Sequence, residues 1–326
     1  MVDQRDVDSG LARGPGLVGE VSVGPSRPQH IMGDQQQHRS IVPLRRPDHN
    51  VGYNSVMSAV GVDIGGTFTR VAVDGTVVAR WRTDPDYDRQ LAALAAVVPA
   101  DPAGIGVSVG GRVDPTGRAV TVALNLRGYE GRALRDDLAD AFSCPVRIAH
   151  DATCGLLGEH EYGSLRGADR CGYVTLSTGT GYAVRLGRGG HFVATTTEAG
   201  HQLVAGNDRP CSCGQVGCLE TLTGGPALER AGTRLSDVDD DAFWRDYAAA
   251  LARGLANFAL VSGVDTVALG GAVAVRRAGL WPVLRERLAD ILTYRPLTVV
   301  PAALGEDAPL SGAVVLLTAP EGSVLH

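Results

Sequence analysis

Three times in this chain an apolar strand-like run drives straight into a glycine-rich turn. The runs are VGVDIGGTFTRVAVDG, with Gly65, Gly66 and Thr67 at the turn; YVTLSTGTGYAVRL, with Ser177, Thr178, Gly179, Thr180 and Gly181; and VDTVALGGAVA, with Gly270 and Gly271. Each alone is a common turn, so their number and order carry the weight. Two facing lobes gripping a nucleotide would use such a set. In the first turn, Gly65 and Gly66 let backbone amides approach an anion closely, and Thr67 and Thr69 offer hydroxyls. Asp63, at the strand end, is suited to hold magnesium or its water shell. No Gly-Lys-Ser/Thr follows, which excludes a Walker loop, and a strand rather than a helix comes next, which excludes a dinucleotide fingerprint.

The segment Glu198–Glu220, EAGHQLVAGNDRPCSCGQVGCLE, constrains the chain differently. Thiolates of Cys211, Cys213 and Cys218 with an imidazole nitrogen of His201 make a tetrahedral Cys₃His set for zinc, and Gly214 and Gly217 permit the tight turns. Four protein ligands close the shell, so this zinc is structural. In VRIAHDATCGLLGEHEYG a strand ends near Ala149 and a helix begins, with Cys154, Leu156 and Leu157 facing the core. Asp151 at that junction reads both as an N-cap and as a general base beside the phosphate turns.

Composition narrows the class. A formal charge of −6 over 326 residues, 44% hydrophobic and 5% aromatic content fit an acidic enzyme of two domains. Scattered basic residues argue against nucleic-acid binding. No run approaches the roughly 20 apolar residues of a membrane span, and no signal-peptide layout opens the chain. A cytoplasmic protein is expected, with Cys144, Cys154 and Cys171 as reduced, buried thiols. Residues 1–56 mix Gly, Pro, Gln, Arg and Asp without periodicity and read as a disordered tail. Met57, directly before the first strand, reads as an alternative start.

DIGGTFTR, GGRVDPTG, the His150–Ala152 segment, EAGH, CSCGQVGCLE and ALGGAVA stand in the order of the ROK-family sugar kinases, and the chain resembles a bacterial glucokinase of that group from about Ala59 to the C-terminal ALGEDAPLSGAVVLL. The resemblance implies an α/β, actin-like ATPase (ribonuclease H-like) fold of two lobes, 57–150 and 151–326, around a cleft for ATP, Mg²⁺ and a sugar. It implies phosphoryl transfer to a hydroxyl of a hexose or a hexose-like polyol, in a homodimer. Carried over by position, Asp151 is the catalytic base, Glu198, His201 and Glu220 hydrogen-bond the sugar, and Asn125 lies near the sugar pocket with Gly110 and Gly111 in the preceding turn. His201 would bind zinc through one ring nitrogen and a substrate hydroxyl through the other.

Two departures stand out. His150 replaces the family's usual Asn before the base, and Ser177 and Tyr182 crowd the second glycine turn. Both are either drift in a working glucokinase or a shift in which substrate fits, be it glucose, another hexose, an N-acetylhexosamine or a C7-cyclitol with an exocyclic CH₂OH. The family also contains DNA-binding repressors, but residues 1–56 show no pair of amphipathic helices. A sugar sensor without chemistry would have no need of Asp151.

Overall fold

The computed structural model describes residues 58–188, 190–225, 238 and 240–326. The expected N-terminal tail lies outside them.

The chain opens as an antiparallel meander of β1 (Ala59–Ile64), β2 (Phe68–Val73) and β3 (Thr76–Arg82). Helix α1 (Tyr87–Ala95) leads to β4 (Gly104–Val109), which pairs parallel to β1. The small ribbon β5 (Arg112–Val113) and β6 (Val120–Val122) and helix α2 (Leu134–Phe142) then lead to β7 (Val146–His150), parallel to β4. The first sheet therefore runs β3-β2-β1-β4-β7. Burial explains the strand sequences. Interior β4, GIGVSV, is buried along its whole length, with Ile105, Val107 and Val109 on one face and Gly104, Gly106 and Ser108 on the other, whereas edge strand β3, TVVARWR, alternates toward solvent.

After α3 (Asp151–Tyr162) the same plan is drawn again. Strands β8 (Arg170–Leu176), β9 (Thr180–Arg188) and β10 (His191–Thr197) form a second antiparallel meander. The short helix α4 (Glu220–Thr223) and the long α5 (Asp241–Ser262) precede β11 (Thr266–Gly270), which lies parallel to β8. Helices α6 (Gly271–Arg276) and α7 (Leu280–Ile291) lead to β12 (Thr298–Pro301), parallel to β11. Helix α8 (Ala308–Thr318) and β13 (Val324–Leu325) end the chain, giving the sheet order β12-β11-β8-β9-β10-β13. Helix α5 is set by local chemistry at both ends. The Asp240 carboxylate accepts from the amides of Ala242 and Phe243 at 2.8 and 3.3 Å, and Gly263 closes it at φ 75°.

Each meander builds its own core. Val60, Val62, Ile105, Val107 and Ile148 anchor the first, and Val174, Leu176, Leu251, Leu255 and Val267 the second. The C-terminal helix does not stay with the second sheet. It packs on β1, β4 and β7 and against α3, so a cut at residue 150 separates strands but not helices. The contact is backbone on backbone: a Cβ on Gly312 would lie 1.6 Å from the Cys154 carbonyl oxygen, and one on Gly106 1.7 Å from that of Ala313.

Candidate active site

A cavity of about 550 Å³ is lined from both sheets. Gly65, Gly66 and Thr67 enter from the β1–β2 turn, and Ser177 to Gly181 from the β8–β9 turn. These turns occupy equivalent places, after the first strand of each meander, so the repeated topology itself sets them around one space. Gly110, Gly111 and Asn125 also line it, as do His150, Asp151, Glu198, His201 and Glu220. Gly270 and Gly271 are not among its lining residues. Gly271, at φ +84°, is packed against the Leu176 backbone, which explains a glycine there by conformation and close approach. Gly66 serves packing as well, since a Cβ on it would meet Asn125 Cβ at 2.7 Å.

Strand β7 delivers His150 and Asp151 to the cavity wall. The helix cap is His150, not Asp151: strand pairing runs through His150, the helix starts at Asp151, and the His150 Nδ1 accepts the Ala152 amide at 3.1 Å. The same Nδ1 lies 3.0 Å from Asp151 Oδ1, with the two side chains 22% and 33% exposed and so reachable from the cavity. Burial lowers the imidazole's pKa, but Asp151 and the more distant Glu198 outweigh it, leaving His150 above the ordinary histidine value. Burial raises the Asp151 pKa, and His150 with the Ala152 amide reverses that, holding the carboxylate below its usual range.

The second glycine turn is tied down by Glu220, whose Oε2 accepts the Thr180 amide at 2.8 Å, and a Cβ on Gly179 would meet that same oxygen. Part of the carboxylate is thus committed to the turn. Tyr182 does not crowd the cavity. Alternation along β9 turns its ring into the second core, where it packs edge-on against Phe258 at 5.1 Å. Thr69 is likewise buried, its hydroxyl bonded to Gln90 and Thr83.

Ligand atoms of His201, Cys211, Cys213 and Cys218 lie within 4.8 Å of one another. Cys213 Sγ and Cys218 Sγ are 3.7 Å apart, and Cys211 Sγ is 3.6 Å from His201 Nδ1. A tetrahedral zinc with its usual bond lengths places two sulfurs about 3.8 Å apart and a sulfur and a nitrogen about 3.6 Å apart, so the donor set fits that ion. His201 and Cys213 also line the cavity, which puts the loop beside the site. Cys144 is half-buried, while Cys154 and Cys171 are buried as expected.

Asp63 has partners that its place beside the glycine turn does not announce. Its Oδ2 accepts from Arg70 at 2.7 and 3.2 Å and its Oδ1 from the Ser108 hydroxyl at 2.8 Å. Arg70 also reaches Asp307 at 2.9 Å. A carboxylate so engaged has less capacity for a cation than a free one. The signal was present, because a hairpin turning at Gly65–Phe68 places residue 63 opposite residue 70. Arg80, Arg112, Thr196 and Gln215 on the lining are further residues that strand periodicity did not single out.

The family model described as ROK family matches residues 59–319. The chain belongs to the ROK family. This ROK chain is 29% identical over 317 residues to a glucokinase of Thermotoga maritima, covering 80% of this chain and 97% of that one. It superposes with a TM-score of 0.69 and 26% identity on a ROK family glucokinase from Streptomyces griseus in complex with glucose and AMPPNP, covering 79% and 98% of the two chains. It also shares its fold, at TM-score 0.66 and 18% identity, with a ROK family transcriptional regulator, over 81% of this chain and 78% of the other. The fold of two α/β lobes is thus the actin-like one, common to ROK kinases and regulators, and the site must decide between those roles. Among the described residues no helix is long and apolar enough to cross a membrane.

Proposed function

We propose that this ROK chain is an ATP-dependent kinase that phosphorylates a hydroxyl, the exocyclic primary one, of a hexose such as glucose. The observation that carries the reading is Asp151, a carboxylate on the wall of a cavity that also receives glycine turns from both sheets. Asn125, Glu198, His201 and Glu220 are placed on the same lining and are suited to hold sugar hydroxyls, since carboxylates accept several hydrogen bonds each. Asp151 takes the proton of the acceptor hydroxyl as its oxygen bonds to the terminal phosphorus and the bond to the leaving diphosphate breaks. The glycine turns restrain the phosphates through backbone amides. Magnesium, when bound with the nucleotide, supplies charge neutralisation, and Asp63 is its nearest carboxylate candidate in the first turn. Zinc held by His201 Nδ1, Cys211, Cys213 and Cys218 would leave His201 Nε2 for a substrate hydroxyl.

His150 favours a second reading within the same chemistry, a C7-cyclitol as acceptor, because an imidazole now stands where an amide usually meets a ring hydroxyl. A binding-only sensor or a repressor is less well supported, as neither role calls for a carboxylate at this place. Assaying glucose, other hexoses, an N-acetylhexosamine and a cyclitol bearing an exocyclic CH₂OH with ATP and magnesium separates these readings. No phosphorylation of any acceptor, with retained sugar binding, would select the sensor.

A further inference from the structure

One ring nitrogen of His150, Nδ1, has two claims on it. Nδ1 lies 3.1 Å from the Ala152 amide, which donates, and 3.0 Å from Asp151 Oδ1, which accepts. An unprotonated Nδ1 can only accept, satisfying the amide and setting a lone pair against the carboxylate. A protonated Nδ1 can only donate, satisfying the carboxylate and giving up the amide. Both bonds cannot exist in one protonation state.

We propose that His150 is a positioning residue for Asp151 that exchanges partners with a single proton: neutral, it caps α3 through the Ala152 amide and leaves Asp151 ready to accept a proton; protonated, it clamps Asp151 and silences it. This rests on the kinase reading above. The proton comes from solvent through the cavity and settles on Nδ1, while Nε2 keeps its own. The charged groups facing the ring are Asp151 on α3 and Glu198 after β10, both favouring the protonated form. From β9 the neighbour is Gly181, where a Cβ would stand 3.6 Å from the ring, and from β4 it is Val109, paired with His150. The Ala152 amide released on protonation stays within reach of the Asp151 carboxylate, so the clamped state leaves no helix-end donor stranded.

His150→Asn isolates the proton from the cap, because an amide oxygen also caps helices well but does not titrate. In wild type, kcat/KM should fall about tenfold per pH unit below the imidazole's pKa, a one-proton limb lying above the ordinary histidine value. The Asn variant should be flat from about pH 6 to 8. The same limb in both proteins would overturn the proposal. A second measurement needs no turnover: NMR titration of the ring resonance that disappears in His150→Asn, in wild type and in Asp151→Asn. Removing the carboxylate should lower that pKa by about one unit or more. An unchanged titration would show that no exchange with Asp151 occurs, whatever the chain phosphorylates. A lowered titration with no turnover on any acceptor at any pH would overturn both the kinase reading and the positioning role.

Discussion

Asp151 sits at a junction that the sequence marks clearly, an apolar strand stopping at a polar pair before a helix, but the division of labour within the pair was hidden. Which residue caps depends on where strand pairing ends, and that depends on β4, whose Val109 pairs with His150 from 41 residues away. The Asp63–Arg70 pair was more accessible, since hairpin register alone brings it together. As the proposed base, Asp151 changed to Asn should lose turnover by about two or more powers of ten, because the amide cannot take the hydroxyl proton while its shape is kept. Sugar affinity from calorimetry should remain largely intact. Near-normal turnover would remove Asp151 from that role. At His150 the expectation concerns specificity: if the imidazole has displaced a contact to a ring hydroxyl, as the cyclitol reading requires, wild type should be a poor glucokinase, and His150→Asn should raise kcat/KM for glucose several-fold. One restored hydrogen bond to an uncharged hydroxyl is worth about 1 kcal/mol. Measured near pH 8, where the imidazole's proton matters least, efficient wild-type use of glucose that the substitution leaves unchanged would leave the cyclitol reading without local support.

Helices and strands were legible where one periodicity ruled them and obscure where packing did. The runs of β1, β4 and β8 announce themselves as buried strands, whereas α8 is apolar nearly all round and carries no stripe to say which sheet it covers. Its place is fixed by small residues. Gly312 lets α8 lie on the carbonyl of Cys154 in α3, and Gly106 lets β4 lie under Ala313. A methyl group at Gly312 would have to displace backbone from a Cβ position 1.6 Å away, and a backbone cannot rotate aside as a side chain can. Gly312→Ala should therefore cost about 3 kcal/mol, at the upper end of overpacking penalties. In a protein of this size that is a fall in Tm of roughly 4–6 °C by calorimetry. A loss below about 1 kcal/mol would mean that α3 and α8 slide apart freely.

Across the whole molecule, two sheets with one strand plan share a cavity whose chemistry comes from loops, and the loop of His201, Cys211, Cys213 and Cys218 ties three of its parts together. His201 and Cys213 reach the cavity, Cys218 is buried, and the next residue, Leu219, is packed into the second core against α5. Glu220 follows and holds the β8–β9 turn through the Thr180 amide. The cysteine spacing made the metal set readable, but its link to the glycine turn was not, because that link is a hydrogen bond between residues far apart in sequence. A metal that closes this loop should then support stability and the site at once, since binding and local folding are coupled. Purified protein should contain about one zinc per chain. Stripping it with a strong chelator, or changing Cys213 to Ser, should lower Tm and turnover together, and adding zinc back to the stripped wild type should restore both. Because His201 would be released with the metal, the Michaelis constant for the acceptor should rise more than that for ATP. Fully active protein free of zinc, with an unchanged Tm, would refute the metal site, and equal losses toward both substrates would make the loop a support for the fold and not for the acceptor pocket.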